Sequence, residues 1–541
     1  MGSVELVLAM LLAVIASGYV VRMLPFPLPL PLVQIALGAV IEGVFGHGVT
    51  LEPDIFFLLF LPPLLFLDGW RIPKVGLFRD KGTIIELAFG LVVFTVLGAG
   101  FFIHWLVPGM PLPVAFALAA IVAPTDPVAV SSIASRVPIP PRLMHILEGE
   151  ALLNDASGLV CFRFAVTAAV TGHFSLASAA TTFVWVVLAG LACGVAVTLG
   201  ISAAQRYLSR KVGEESGSPI LINLLTPFGA YLAAEHLNAS GILGAVAAGV
   251  TMSYVELSGR AGASTRVRRA AVWDAVQFSF NGVMFVLLGE QLPDIISRAA
   301  DAAEAAGGEK GVLRLLLLAL AVSLGLTVLR FVWVWVSLRL TLLRTGRQDQ
   351  QTKVTRFKLV LVTSLAGVRG AITMAGILTL PLFMPGGAPL PGRHLAIFLA
   401  AGVILVSLVL ASIALPPLLR SLTLPEEPAG AAQEDLARHE AAVAALKAVE
   451  QASHEQLHVD PEIQASAIER VMGIYRHRLG SGDTLDPARL RMADEAERNF
   501  RLAALAAERE AILGLARHER ISDETARKLL REIDLVEARY R

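Results

Sequence analysis

The chain has 541 residues, 55% of them hydrophobic and only 17% charged, with 45 Lys and Arg against 45 Asp and Glu. That is too apolar for a soluble protein of this size, and a formal charge of zero offers no footprint for nucleic acid. Cys161 and Cys193 both lie in apolar stretches, which excludes a disulfide framework or thiolate cluster, and the histidines lack metal-ligand spacing, so no cofactor is expected.

Runs of roughly 17 or more apolar residues mark membrane spans. In chain order they fall near 3–22, 29–46, 54–70, 83–107, 112–133, 145–172, 177–206, 217–236, 239–257, 269–292, 311–338, 357–382 and 394–421, thirteen in all. The first carries Glu5 where a signal peptide would be basic, and reads as a retained span. Every second connection is basic: Arg71, Lys74, Arg79 and Lys81; Arg136 and Arg142; Arg206, Arg210 and Lys211; Arg260, Arg266, Arg268 and Arg269; Arg344, Arg347, Lys353 and Arg356. The positive-inside rule then places the N-terminus outside and the C-terminus in the cytoplasm, as an odd span count requires. Beyond Leu424, Pro425 to Gly430 reads as a linker into a helical cytoplasmic tail, broken near Asp460-Pro461, Gly480 to Asp483 and Asp486-Pro487. Two domains follow, 1–422 in the membrane and 423–541 outside it.

Carboxylates inside spans are costly, and their default reading is an ion or proton pathway. In the fifth span Pro124 and Pro127 bracket Thr125-Asp126, and each proline removes a backbone donor. Carbonyls freed in a membrane need partners, and a bound cation in a watery cavity supplies one. The plainer reading is a kink repaired by Thr125 and Asp126, though a neutral side chain would repair it more cheaply. In the sixth span Glu150 and Asn154 share a face, while Asp155 points about 100° further round. The twelfth span holds Gly367-Val368-Arg369-Gly370; an arginine at that depth needs a carboxylate or carbonyls, and Glu150 is the preferred partner. Two interrupted spans seven apart point to a transporter site built from inverted repeats. Asp68 in the third span is either part of that site or an interfacial acid near Arg71. Glu86 and Asp274 lie near span ends and read as interfacial. Arg163 and Arg330 have no assigned partner, with snorkelling or an ion pair as the default.

Thr125-Asp126-Pro127, Asn154-Asp155 after Glu150, Gly367 to Gly370 with Arg369, the LPPLLF stretch before Asp68, and Asn281 to Gln291 together resemble the bacterial branch of the cation:proton antiporter-1 family, electroneutral sodium/proton exchangers. The likeness covers roughly residues 1–422 and rests on motifs in matching order. It implies an all-α polytopic protein, about thirteen transmembrane helices with inverted repeats and two discontinuous crossing helices, assembled as a homodimer in the bacterial inner membrane. It further implies that Asp155 is shared by Na+ and H+, that Asp126 and Thr125 line the ion site, with Asp155 and Asp126 as the Na+ ligands and Asp68 as a further contributor. Asn154 would hold Asp126, and Glu150 would pair with Arg369. Some relatives place a Ser ligand where this chain has Ala151.

The expected mechanism is competition. A bare carboxylate is costly in a dry core, so H+ and Na+ take turns on Asp155, and the site reorients with either one bound. A K+/H+ or mixed antiporter is the nearest alternative. An intramembrane enzyme using Asp126 and Asp155 as an aspartyl pair lacks a substrate cleft in its favour, and a further alternative is a receptor in which the membrane part binds an ion and the tail beyond Leu424 signals.

Overall fold

The protein is seen in a computed structural model, which describes residues 3–24, 28–45, 53–72, 81–134, 139–172, 176–212, 217–257, 263–305, 311–345, 353–384, 387–422, 428–455, 465–466, 468–473, 487–518 and 523–537. Among these, regular structure is helical apart from one isolated antiparallel bridge between Phe383 and Pro389. Lys74, Arg79, Arg136, Arg260, Arg347, Asp460-Pro461, Gly480 to Asp483 and Asp486 lie outside the described residues.

Helices α1 (Ser3–Met23), α2 (Leu30–Phe45) and α3 (Pro53–Arg71) open the first compact unit, Met1–Leu424. The short α4 (Lys81–Ile85) runs through a π-helical turn at Glu86–Leu91 into α5 (Val92–Leu106). A broken helix follows, with halves α6 (Leu112–Val122) and α7 (Pro127–Ala134). Next come α8 (Pro141–Thr171), α9 (Leu176–Val212), α10 (Ser218–His236), α11 (Gly241–Leu257), α12 (Ala263–Ala305) and α13 (Gly311–Thr345). A second broken helix has halves α14 (Lys353–Leu365) and α15 (Ala371–Leu378), and α16 (Arg393–Arg420) closes the unit. Among the described residues seven helices are long and apolar enough to cross a membrane, and shorter apolar helices such as Leu112–Val122 and Gly241–Glu256 lie among them. The expected all-α polytopic class is what the chain adopts.

The second unit, Pro425–Arg541, contains α17 (Pro428–Glu455), α18 (Pro487–Arg517) and α19 (Asp523–Glu537). Helix α17 already runs through the second half of the expected linker. Arg509 joins α18 to α19 through Asp534, at 2.9 Å, and Glu537.

Both breaks follow from residues that cannot continue a helix in hydrocarbon. Pro127 opens α7 at a position whose N–H would have no helical partner anyway. Gly370, in extended conformation, stands at the N-cap of α15. Helix α6 is rich in small residues, with Ala115, Ala117, Ala119 and Ala120 all fully buried, so that α5, α8, α15 and α16 pack closely around it. At its far end Pro124 rests on Gly158 of α8, where an added Cβ would also lie 2.9 Å from the Ala120 carbonyl oxygen.

That contact is a rigid proline ring and a backbone carbonyl on glycine, with no flexible side chain to give way. Gly158→Val is therefore expected to destabilise the membrane unit by about 1–3 kcal/mol, seen as a lower midpoint of thermal aggregation in detergent. An unchanged midpoint would mean that α8 can step away from the break.

Candidate functional site

The two breaks cross and satisfy one another. Asp126 donates its backbone N–H to the Val368 carbonyl at 2.7 Å. A Cβ on Gly370 would overlap the Asp126 side chain, so glycine is required for this approach. Arg369 donates from Nε to the Val122 carbonyl, the last of α6, at 2.9 Å, and from Nη1 to the Gly367 carbonyl in its own break. Ser407 of α16 receives the Arg369 N–H at 3.1 Å. Arg369 thus answers carbonyl groups that the interruptions leave open, a role suited to a cation at a helix C-terminus.

The expected Glu150–Arg369 pair does not form. Glu150 is instead gripped by Arg330 of α13, Nη1 to Oε1 at 2.5 Å and Nη2 to Oε2 at 2.8 Å, with the two side chains 0% and 2% exposed. The reason is space and reach. A Cβ on Gly367 would fall 2.6 Å from Arg330 Cδ and 2.7 Å from its Nε, so that glycine leaves the channel through which the Arg330 stem passes. Arg330 Nε then bonds to the Thr363 carbonyl of α14 at 3.1 Å. An arginine alone in the long uncharged stretch of α13 was the signal for this partner, but nothing in the sequence tells which of two buried arginines reaches Glu150.

The network continues toward the first break. Thr125 donates to Glu150 Oε1 at 3.3 Å, and Asn154 donates from Nδ2 to the Thr125 hydroxyl at 3.1 Å. Asn154, expected to hold Asp126, anchors the residue before it. Its carbonyl oxygen is buried and accepts no hydrogen bond among the described residues.

Asp155 is 8% exposed and lies inside the molecule, within electrostatic reach of Asp126 and Asp68. Asp68, partly buried in α3, is within reach of Asp126, Glu148 and Arg71. Arg71 itself bonds to Asp274 at 2.5 Å and to Gln277 at 2.8 Å on α12. Ala151 is buried one turn before Asp155 and offers no oxygen from its side chain. Among the described residues no three His, Cys, Asp or Glu close tightly enough to hold a metal on their own, so any cation here would rely on hydroxyl, amide and backbone oxygens as well. Arg163 meets Glu235 at 3.4 Å in an exposed pair away from the site, where such a contact is worth little.

Interrupted helices crossing around buried carboxylates define a secondary transporter rather than an enzyme. The family description "sodium/hydrogen exchanger, transmembrane" matches residues 7–421. The chain is 40% identical over 540 residues to the uncharacterised Na+/H+ exchanger YjcE of Escherichia coli K12, covering 98% of each. It is 41% identical over 414 residues to a sodium, potassium, lithium and rubidium/H+ antiporter of Bacillus pumilus, covering 76% of this chain and 60% of that one. In fold it is similar to the sodium proton antiporter MjNhaP1 of Methanocaldococcus jannaschii, with a TM-score of 0.58 and 17% identity over 77% of this chain and 98% of that one. The chain belongs to the sodium/hydrogen exchanger family and is a multi-pass membrane cation/proton antiporter, as its motifs led us to expect.

Removing one member of a buried ion pair strands the other, at a cost of about 3–5 kcal/mol. Arg330→Gln and Glu150→Gln should each lower the yield of folded protein and its thermal midpoint, while the double variant recovers part of both. Full stability of Arg330→Gln alone would contradict the pairing.

Proposed function

We propose that the protein exchanges Na+ for H+, one for one, by alternating access, with Asp155 as the carboxylate on which the two compete. The burial of Asp155 beside the crossing, within reach of Asp126, is the observation that supports this most directly. Both oxygens of Glu150 are engaged by Arg330, which gives Glu150 a structural part and puts Asp155, beside Asp126, at the centre of the exchange. We assign Thr125, Asp126 and Asp155 to the cation, with the Asn154 carbonyl oxygen taking the place that a hydroxyl at Ala151 would have filled. Asp68 stands at the approach to the site. Glu150, Asn154 and Arg369 serve structurally, joined by Arg330.

Thirteen spans, the N-terminus outside and the C-terminus in the cytoplasm of a bacterial inner membrane, a homodimer, and a division into an exchanger domain (1–422) and a cytoplasmic helical domain (423–541) complete the proposal. Basic residues on alternate connections support the orientation. A second reading, exchange of K+ as well as Na+, is favoured by the Bacillus relatives, whose descriptions include both ions.

In everted vesicles carrying a pH-sensitive dye, NaCl should relieve quenching, and Asp155→Asn should abolish the response at wild-type protein levels. Competition at one carboxylate also requires that acidification raise the apparent KM for the cation while leaving the maximal rate unchanged. Exchange by Asp155→Asn would overturn the mechanism, and an equal response to KCl would establish the mixed-ion reading.

A further inference from the structure

The fourth membrane segment is not a plain α-helix. Between α4 and α5 the turn Glu86–Leu91 is π-helical, with Leu87, Ala88 and Leu91 buried. Val92, which in an α-helix would donate to the carbonyl of residue 88, donates to Phe89 instead. The Ala88 carbonyl accepts the hydroxyl of Ser157 from α8 at 2.7 Å. Ser157 is itself buried, and the acceptors in its own helix are further away, Asn154 O at 3.0 Å and Leu153 O at 3.2 Å. A serine within a helix ordinarily bonds back to its own preceding turn; here the shortest bond crosses to the neighbouring helix.

Position makes this bond more than a local repair. Ser157 follows Asp155 by two residues, so the side chains leave α8 about 200° apart, on nearly opposite faces. One face meets the π turn and the other meets the crossing. The opposite flank of the π turn is fixed too: a Cβ on Gly90 would run into the ring of Trp333, one turn beyond Arg330 on α13. The π turn therefore sits between the two helices that carry the Glu150–Arg330 pair. Single π turns are uncommon and recur at functional sites.

We propose that Ser157 is a positioning residue for exchange: by bonding to the π-turn carbonyl of Ala88 it fixes the rotation of α8 and so the presentation of Asp155 to the cation. This rests on the reading of Asp155 as the exchanging carboxylate. Ser157 touches no ion and transfers no proton. Without its hydroxyl, α8 loses its anchor on the π turn, and Asp155 turns away from the oxygens that share the cation with it.

The test is vesicle exchange with Ser157→Ala, Ser157→Thr and Asp155→Asn measured side by side across pH. Ser157→Ala should raise the apparent KM for Na+ by about tenfold, as loss of an outer-shell partner typically does, and displace the pH profile while protein level and maximal rate hold. Ser157→Thr, which keeps the hydroxyl, should restore both. Reduced protein level with an unchanged KM and pH profile would mark Ser157 as merely structural and overturn the inference, as would a wild-type KM in Ser157→Ala. Should Ser157→Ala not yield folded protein, Ser157→Cys fills the same space with a poor donor, and a wild-type KM there likewise overturns it. If Asp155→Asn is dead and Ser157→Ala is normal, only this inference falls. If Asp155→Asn still exchanges, the underlying reading of Asp155 falls.

Discussion

Hydrocarbon offers no water to a broken helix, so every amide and carbonyl released by an interruption must find a partner inside the protein. The chain meets this constraint by laying one interruption across the other. The Asp126 N–H goes to Val368 across the crossing, and the Arg369 guanidinium returns to the last carbonyl of α6 and to Gly367. Neither break could stand alone at that depth. Glycine at 370 is what brings the two backbones close enough, since any side chain there would occupy the place of the Asp126 carboxylate. The proposed ion site follows from the same constraint: where two helices stop, oxygens gather.

The Glu150–Arg330 pair then orients the groups around the first break. A carboxylate held at both oxygens by a guanidinium is a strong, oriented hydrogen-bond partner. Glu150 accepts from Thr125 as well, and Thr125 from Asn154, so the pair orients the first break through a chain of donors on α8 and α13. A buried ion pair contributes little net stability compared with apolar packing. What it supplies here is position: the Thr125 hydroxyl is turned toward Glu150.

Much of this was legible in the sequence because prolines, glycines and intramembrane charges carry their physics locally. Pro124 and Pro127 announced one break, Gly367 and Gly370 the other, and Asp155 at mid-span announced burial. Partner choice was not legible. Arg330 and Arg369 are both arginines at depth, and which one reaches Glu150 depends on the room left by Gly367, a contact between helices with no sequence spacing to betray it. The π turn was equally silent, since Glu86–Leu91 is apolar apart from its first residue and has no helix breaker besides Gly90. Its existence depends on what α8 and α13 bring against it. For Asp68 the sequence leaves two places open, the ion site and the interface near Arg71, and in the fold it is within reach of both Asp126 and Arg71, while Arg71 bonds to Asp274.

Asp68 reaches the charged network from a different helix. Glu150, Arg330, Arg369, Asp126 and Asp155 stand on the two broken helices and on α8 and α13; α8 packs on α6 and α5, and α13 on α14, α5 and α16. Asp68 stands on α3, which packs most extensively on α11. The end of α3 is pinned there: Trp70 donates to Glu256 at 2.7 Å, Glu256 also binds Arg269, and Arg71 holds Asp274. Glu150–Arg330 thus lies within the first set of helices, and Trp70–Glu256–Arg269 and Arg71–Asp274 within the second, while α3 also touches α8 and α15. A displacement of the first group past the second would carry Asp155 and Asp126 relative to Asp68 without separating the Glu150–Arg330 pair or the contacts around Trp70. Alternating access needs such a division, because a motion that broke a buried ion pair in every cycle would face a barrier of several kcal/mol. A carboxylate at the boundary can meet the ion at one end of the movement and lose it at the other.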